Sequence, residues 1–110
     1  MKYLITESQF NNIIFQYLDN QDFIKIEKNN SIYFVNSETD KDAQIRYVKE
    51  DSGWCYIYVE LVKEISSFFS LQRSDSEKVI GRWVGNTLQM KVTGTRTRAV
   101  SSSIVLSIPN

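Results

Sequence analysis

The spacing of the apolar residues changes twice along this chain, and these two changes restrict what it can fold into. Apolar residues recur at the intervals of a helix over residues 10–18, alternate at the two-residue interval of a strand over residues 23–60, and return to helical intervals over residues 61–88. A helix, a run of strands and a second helical region are the elements of a two-layer α+β domain. The sequence therefore predicts a sheet covered by helices on one face.

An N-terminal helix is predicted over about residues 7–19. Thr6 and Gln9 have the spacing of a capping box, in which a hydroxyl and an amide side chain satisfy free backbone N–H groups at a helix start. Behind them, apolar side chains form one helical stripe at Phe10, Ile13, Ile14, Tyr17 and Leu18. We expect this stripe to dock on the rest of the domain.

Two hairpins are predicted in the strand region. Asn29 and Asn30 lie between two strand-like runs, and asparagine tolerates the positive φ values that a two-residue hairpin turn requires. Gly53 closes a second turn, where we expect a left-handed conformation. Two hairpins in series form an antiparallel meander. Its four strands are predicted over residues 23–27, 31–35, 43–48 and 54–60.

Two helices are predicted after the meander, the first of them directly after the last strand. Ser74 and Glu77 form a second capping box, which predicts that the second helix covers about residues 75–90. Gly81 and Gly85 lie inside this helix, where glycine costs about 1 kcal/mol relative to alanine. We therefore expect this helix to pack closely on a neighbour.

A final strand is predicted near the C-terminus, where apolar residues alternate again at Val100, Ile104, Leu106 and Ile108. The whole chain, residues 1–110, then forms one α+β domain with an N-terminal helix, a meander of two hairpins, two helices and a C-terminal strand. A small, strongly bent β-barrel with added helices is the alternative, because meanders with bulges can close on themselves.

The composition argues against an enzyme. The chain has no histidine and a single cysteine, Cys55, so it lacks the usual acid–base group at neutral pH and cannot form an internal disulfide. Cys55 alternates with Ile57 along a strand, where a thiol packs as a small apolar side chain. The acids Glu38, Asp40 and Asp42 lack the pattern of a calcium-binding loop and are expected to be solvated. We expect no catalytic residue, no metal and no cofactor.

The sequence also predicts a protein without a membrane partner. Its apolar runs fall short of the roughly 20 residues that span a bilayer, and the short run at residues 3–5 does not suffice for a signal peptide. An unpaired cysteine is typical of a reducing compartment. We therefore expect a cytoplasmic protein.

Several segments resemble parts of small uncharacterised proteins of marine tailed bacteriophages. The opening KYLITESQ at residues 2–9 is similar to the start of many such proteins. Further similar segments are GWCYI at residues 53–57, ISSFF at residues 65–69 and WVGNTLQM at residues 83–90. The resemblance implies a phage origin, and with it the cytoplasm of a host cell, but it implies no chemistry and assigns no functional residue.

Positive charge is concentrated towards the C-terminus, although the 13 basic and 13 acidic residues of the chain cancel. Residues 1–70 carry 7 basic and 11 acidic side chains and residues 71–110 carry 6 and 2, so their net charges are −4 and +4. Lys91, Arg96 and Arg98 lie in a stretch without acids, and in an extended strand the two arginines share one side. Such a basic strip can contact phosphates while aromatic rings stack on bases. A solvated edge strand protected by arginine has the same pattern.

The last strand of the meander is apolar on both faces, with Cys55 on one and Trp54, Tyr56 and Tyr58 on the other. Because helices cover only one face of a two-layer domain, the aromatic face needs other cover. Tyr and Trp are enriched at interface hot spots, so we predict that Trp54, Tyr56 and Tyr58 contact a second copy of the chain or a protein partner. The alternative cover is the C-terminal strand of the same chain.

These observations predict a non-enzymatic interaction protein, a phage accessory protein that forms a homo-oligomer or binds a protein partner. The alternative is a small nucleic-acid-binding protein that uses the basic strip at Lys91, Arg96 and Arg98.

Overall fold

The computed structural model describes residues 7–36, 43–49 and 53–98 of the 110-residue chain. The elements follow the predicted order of a helix, four strands, two helices and a further strand, so the α+β class is confirmed. They are α1 (Glu7–Asp19), β1 (Ile24–Lys28), β2 (Ser31–Val35), β3 (Ile45–Val48), β4 (Trp54–Tyr58), α2 (Val59–Phe69), α3 (Arg73–Leu88) and β5 (Gly94–Arg98).

The five strands form one mixed sheet in the order β1-β2-β3-β4-β5. The first four strands are the predicted antiparallel meander, whereas β5 pairs with β4 in parallel. The helical connection through α2 and α3 makes this possible, because a parallel pair needs a crossover of about a dozen residues or more. Within the described residues β1 and β5 are the two edges, so the sheet is not closed and the barrel alternative is wrong.

Both hairpin turns have the predicted backbone conformations. Asn29 and Asn30 have φ values of 50° and 62°, and Lys28 pairs with Ser31 directly across them, which is a two-residue primed turn. Gly53 has a φ of 86°, in the left-handed region that the sequence predicts for it.

The main core lies between the three helices and one face of the sheet, here called the inner face. Strands β2, β3 and β4 contribute alternate residues to it, because successive side chains of a strand point to opposite faces. Trp83 of α3 completes this packing by donating a hydrogen bond from its indole Nε1 to Asp19 of α1 at 2.9 Å. The buried cluster consists of Ile14, Leu18, Ile32, Phe34, Ile45, Tyr47, Cys55, Ile57, Leu61, Val62, Ile65, Val79, Ile80, Trp83 and Val84.

Helix α3 begins two residues earlier than predicted, and the predicted capping box is not formed. Gln72 is the N-cap residue and makes no side-chain cap hydrogen bond. Ser74 therefore lies inside the first turn, and the Glu77 carboxylate accepts a hydrogen bond from the hydroxyl of Thr97 in β5. A tertiary contact thus takes the carboxylate that a local cap would use.

The junction between β4 and α2 also differs from the prediction. β4 ends at Tyr58, whereas the alternation predicts a strand that continues to Glu60. Val59 and Glu60 instead form the first turn of α2, where the helix dipole favours an acidic residue.

Three predictions concern residues outside the described ranges. They involve the capping residue Thr6, the acids Glu38, Asp40 and Asp42, and the alternating strand at residues 100–108. The C-terminal strand that the structure describes is β5.

Substitution of Ile14 by alanine tests the docking of α1. Ile14 is fully buried, so Ile14→Ala is expected to lower the free energy of unfolding by about 2–4 kcal/mol in urea denaturation. The prediction that Ile13 also docks is wrong, because its side chain lies at the side of the stripe and is 45% exposed. Ile13→Ala is therefore the matched control, with an expected loss of less than about 1 kcal/mol. Equal losses at the two positions would contradict this packing.

Candidate functional site

The predicted aromatic and basic residues meet on one face of the sheet. β4 supplies Trp54, Tyr56 and Tyr58 to the face turned away from the three helices, here called the outer face. The register of the parallel pair places Arg96 beside Tyr56 and Arg98 beside Tyr58. Two sets of residues that are about 40 positions apart in the sequence therefore form one surface.

Each arginine of β5 lies over an aromatic ring of β4. The guanidinium carbon of Arg98 is 4.5 Å from the ring centroid of Tyr56, and that of Arg96 is 5.6 Å from the ring centroid of Trp54. The two arginines are exposed and the two rings are half-buried. Cation–π contacts of this kind contribute about 0.5–1 kcal/mol each at exposed sites. The arginines thus cover part of the aromatic row for which the sequence predicts outside cover.

A third pair extends this pattern across β3 and β2. The guanidinium carbon of Arg46 is 5.7 Å from the ring centroid of Tyr33, and its Nε donates a hydrogen bond to the hydroxyl of Ser31 at 3.2 Å. Tyr33, Arg46, Tyr56 and Arg96 are successive register partners on neighbouring strands. Aromatic and arginine side chains therefore alternate in one row across four strands.

The six residues of these three pairs are called the arginine–aromatic array below. Sequence reasoning missed Arg46 and Tyr33 as members of the site. The sequence does contain a signal for them. Arg46 lies on the polar side of an alternating strand, and β2 after Ser31 is apolar on both faces, which places Tyr33 on the face opposite to Phe34. The array consists of Tyr33, Arg46, Trp54, Tyr56, Arg96 and Arg98.

The strand positions of the outer face carry several basic residues and, within the described strands, no acidic one. Alternation and register assign to this face Ile24, Ile26, Lys28, Ser31, Tyr33, Val35, Arg46, Val48, Trp54, Tyr56, Tyr58, Gly94, Arg96 and Arg98. Although the chain has no net charge, the described strand positions of this face thus have an excess of positive charge, which attracts anions.

The outer face is not equally accessible along its width. Tyr33 and Val35 are buried, in a small cluster with Ala43 against which Ile24 and Ile26 pack. The half-buried rings of Trp54, Tyr56 and Tyr58 and the exposed arginines of β5 lie towards the other edge. The more accessible part of the outer face therefore lies on β4 and β5.

Lys91 lies outside the array. It precedes β5 by three residues, and its backbone carbonyl accepts a hydrogen bond from the hydroxyl of Tyr47 at 2.8 Å. Of the three predicted phosphate contacts, the structure brings Arg96 and Arg98 to the aromatic row and leaves Lys91 beside the β3–β4 turn.

Gly53 determines where β5 begins. Its carbonyl accepts a hydrogen bond from the backbone N–H of Thr93 at 2.9 Å, and a Cβ atom at position 53 would overlap the carbonyl oxygen of Lys91. Together with the positive φ, this close approach requires glycine. The contact holds the chain beside the β3–β4 turn, so that the next residue, Gly94, pairs with Trp54.

Cys55 is buried in the core, as the sequence predicts. Burial raises the pKa of its thiol to about 12, because the thiolate would lose its hydration there. The acids Glu60 and Glu64 have structural partners, since Glu60 pairs with Lys63 at 3.5 Å and Glu64 accepts a hydrogen bond from Tyr17. Among the described residues, no group of three or more His, Cys, Asp or Glu side chains is placed to hold a metal ion.

Comparisons with family models, with curated proteins and with solved structures find no match to this chain. The phage origin that the sequence resemblance implies therefore stays a prediction. In the described part of the chain, no helix has the length and apolar character needed to cross a membrane.

Proposed function

We propose that this protein binds single-stranded nucleic acid on the outer face of its sheet. The observation that carries the proposal is the arginine–aromatic array, in which guanidinium groups lie 4.5–5.7 Å from the centres of aromatic rings on a face without strand acids. Sites that bind single strands have two components: aromatic side chains on which the bases stack, and positive charges that contact the phosphate backbone.

When a single strand binds, arginine–phosphate and base–ring contacts can replace the arginine–ring contacts of the array. An arginine that leaves its ring loses only about 0.5–1 kcal/mol and gains a charge-assisted hydrogen bond to a phosphate. A base that takes its place on the ring contributes about 1–3 kcal/mol. Trp54, Tyr56 and Tyr58 offer the rings, and Arg96 and Arg98 offer the cations.

Single strands fit this face better than duplexes. The rings of Trp54 and Tyr56 are half-buried and already have planar guanidinium groups over them, so an unstacked base can take the same position. In a duplex the bases are stacked on one another, and a flat face cannot reach their edges in a groove. Because every base has a π-face, we expect little sequence preference.

A second candidate is the non-enzymatic interaction protein, with Trp54, Tyr56 and Tyr58 as the contact with a second copy or a partner protein. Its support is the composition of the same face, since Trp, Tyr and Arg are the residues most enriched at interface hot spots. The cytoplasm of a phage host remains the proposed location under either function.

Binding of a fluorescent deoxythymidylate oligomer, followed by anisotropy at several salt concentrations, tests the first proposal. Two arginine–phosphate contacts, from Arg96 and Arg98, predict a slope of about −1.4 in log affinity against log salt, at about −0.7 per contact. The double substitution Arg96→Ala and Arg98→Ala is expected to weaken binding about tenfold or more and to bring the slope close to zero.

The matched control removes the same number of charges elsewhere, by Lys25→Ala and Lys63→Ala. Lys25 is exposed on β1 at an inner-face position and Lys63 is exposed on α2, so affinity should change less than about twofold. An unchanged affinity in the Arg96 and Arg98 double variant, with circular dichroism like the wild type, would refute the proposal.

Light scattering tests the second candidate. Self-association through the outer face predicts an oligomer that dissociates when Tyr56→Asp and Tyr58→Asp are combined. The reason is that the interface would then bury two carboxylates, which is costly in free energy. Phe68, 66% exposed on α2, provides the control Phe68→Asp, which should leave the oligomer intact. A wild-type monomer at high concentration would rule out self-association through this face.

A further inference from the structure

A cavity of about 290 Å³ lies between α3 and the chain segment that leads into β5. Its size is at the small end of ligand-binding pockets, which are roughly 300–1,000 Å³. Neither the outer face nor the core uses it, and its lining residues come from two elements that meet at the edge of the sheet.

The cavity is basic. Lys78 and Arg82 lie one helical turn apart on the α3 wall, and like charges at this spacing repel each other. Neither acid of α3 lines the cavity: Glu77 accepts the hydrogen bond from Thr97, and Asp75 lines a neighbouring groove to which Lys78 and Arg82 also contribute.

The other wall of the cavity carries two threonines. Thr93 and Thr95 line the cavity together with Lys78 and Arg82 of α3. Gly81 of α3 faces the Thr95 methyl group, which a Cβ atom at position 81 would approach to 2.6 Å. Because this position has no side chain, α3 approaches the segment closely and the two walls enclose one small space.

Gly94 separates the cavity from the arginine–aromatic array. Gly94 lines the cavity and also contacts the Trp54 ring, since a Cβ atom at position 94 would lie 2.6 Å from that ring. β5 is the edge strand of the described sheet. A single-stranded nucleic acid that crosses the array therefore passes no further β-strand of this sheet before it reaches α3.

We propose that this cavity binds the phosphate group of a nucleotide through Lys78 and Arg82, with Thr93 and Thr95 as hydrogen-bond donors. The phosphate has two possible sources, a free nucleoside monophosphate or the terminal phosphate of a strand bound to the outer face. The inference goes beyond the proposed function, because the cavity can hold a phosphate whether or not the outer face binds a strand.

Two titrations followed by ¹⁵N NMR test the site and separate the sources. Thymidine monophosphate, a free nucleotide, is expected to shift the amide signals of Gly81, Thr93 and Thr95. A deoxythymidylate oligomer with a 5′-phosphate is expected to shift the same amides and to bind at least about threefold more tightly than the oligomer without it. A response to the oligomer alone assigns the site to the strand terminus, and a response to the monophosphate assigns it to free nucleotide.

The double substitution Lys78→Ala and Arg82→Ala is expected to weaken these responses about tenfold. Both side chains are exposed on a helix and alanine is a good helix former, so the fold should persist. The double variant at Arg96 and Arg98 should lose strand binding and keep the monophosphate response, which separates this inference from the proposed function. Unchanged amide signals with both ligands, or equal binding by the Lys78 and Arg82 variant, would overturn it.

Discussion

The contact between Gly53 and the segment before β5 is the constraint on which the outer face depends. Only glycine fits this position, because its φ is 86° and a Cβ atom would lie 2.2 Å from the carbonyl oxygen of Lys91. The hydrogen bond from Thr93 to Gly53 then sets the register of β5 against β4. A shift of that register by one residue would turn the arginines of β5 towards the core.

The parallel pairing of β4 and β5 turns two separate features of the chain into one surface. β4 already buries Cys55 and Ile57 against the helices, so its aromatic residues are left on the outer face. The helical crossover brings an arginine-bearing strand beside them, and the two cation–π contacts between β5 and β4 follow from this pairing. The same crossover leaves α3 beside the start of β5, which creates the basic cavity at the edge of the sheet.

Patterns set by near neighbours predicted most of the fold. The stripe of α1 and the turn at Asn29 and Asn30 depend on residues close in sequence. The turn was found as predicted, and the stripe docks as predicted except at Ile13, which is exposed. The capping box at Ser74 and Glu77 is wrong because α3 begins at Arg73, so Ser74 is not the N-cap. The Glu77 carboxylate instead accepts a hydrogen bond from Thr97, 20 residues away. The array could be predicted only as two unrelated sets, since a two-residue turn fixes the register of a hairpin whereas no local pattern fixes that of a parallel strand.

Tryptophan fluorescence gives the most direct test that bases stack on the outer face. The chain has two tryptophans, Trp54 on the array and Trp83 buried at 4% exposure, so Trp83→Phe leaves a reporter on the outer face and Trp54→Phe leaves one in the core. On titration with a deoxythymidylate oligomer, the account predicts strong quenching in the Trp83→Phe protein and a nearly constant signal in the Trp54→Phe protein. Binding of the oligomer without quenching of Trp54 would contradict it.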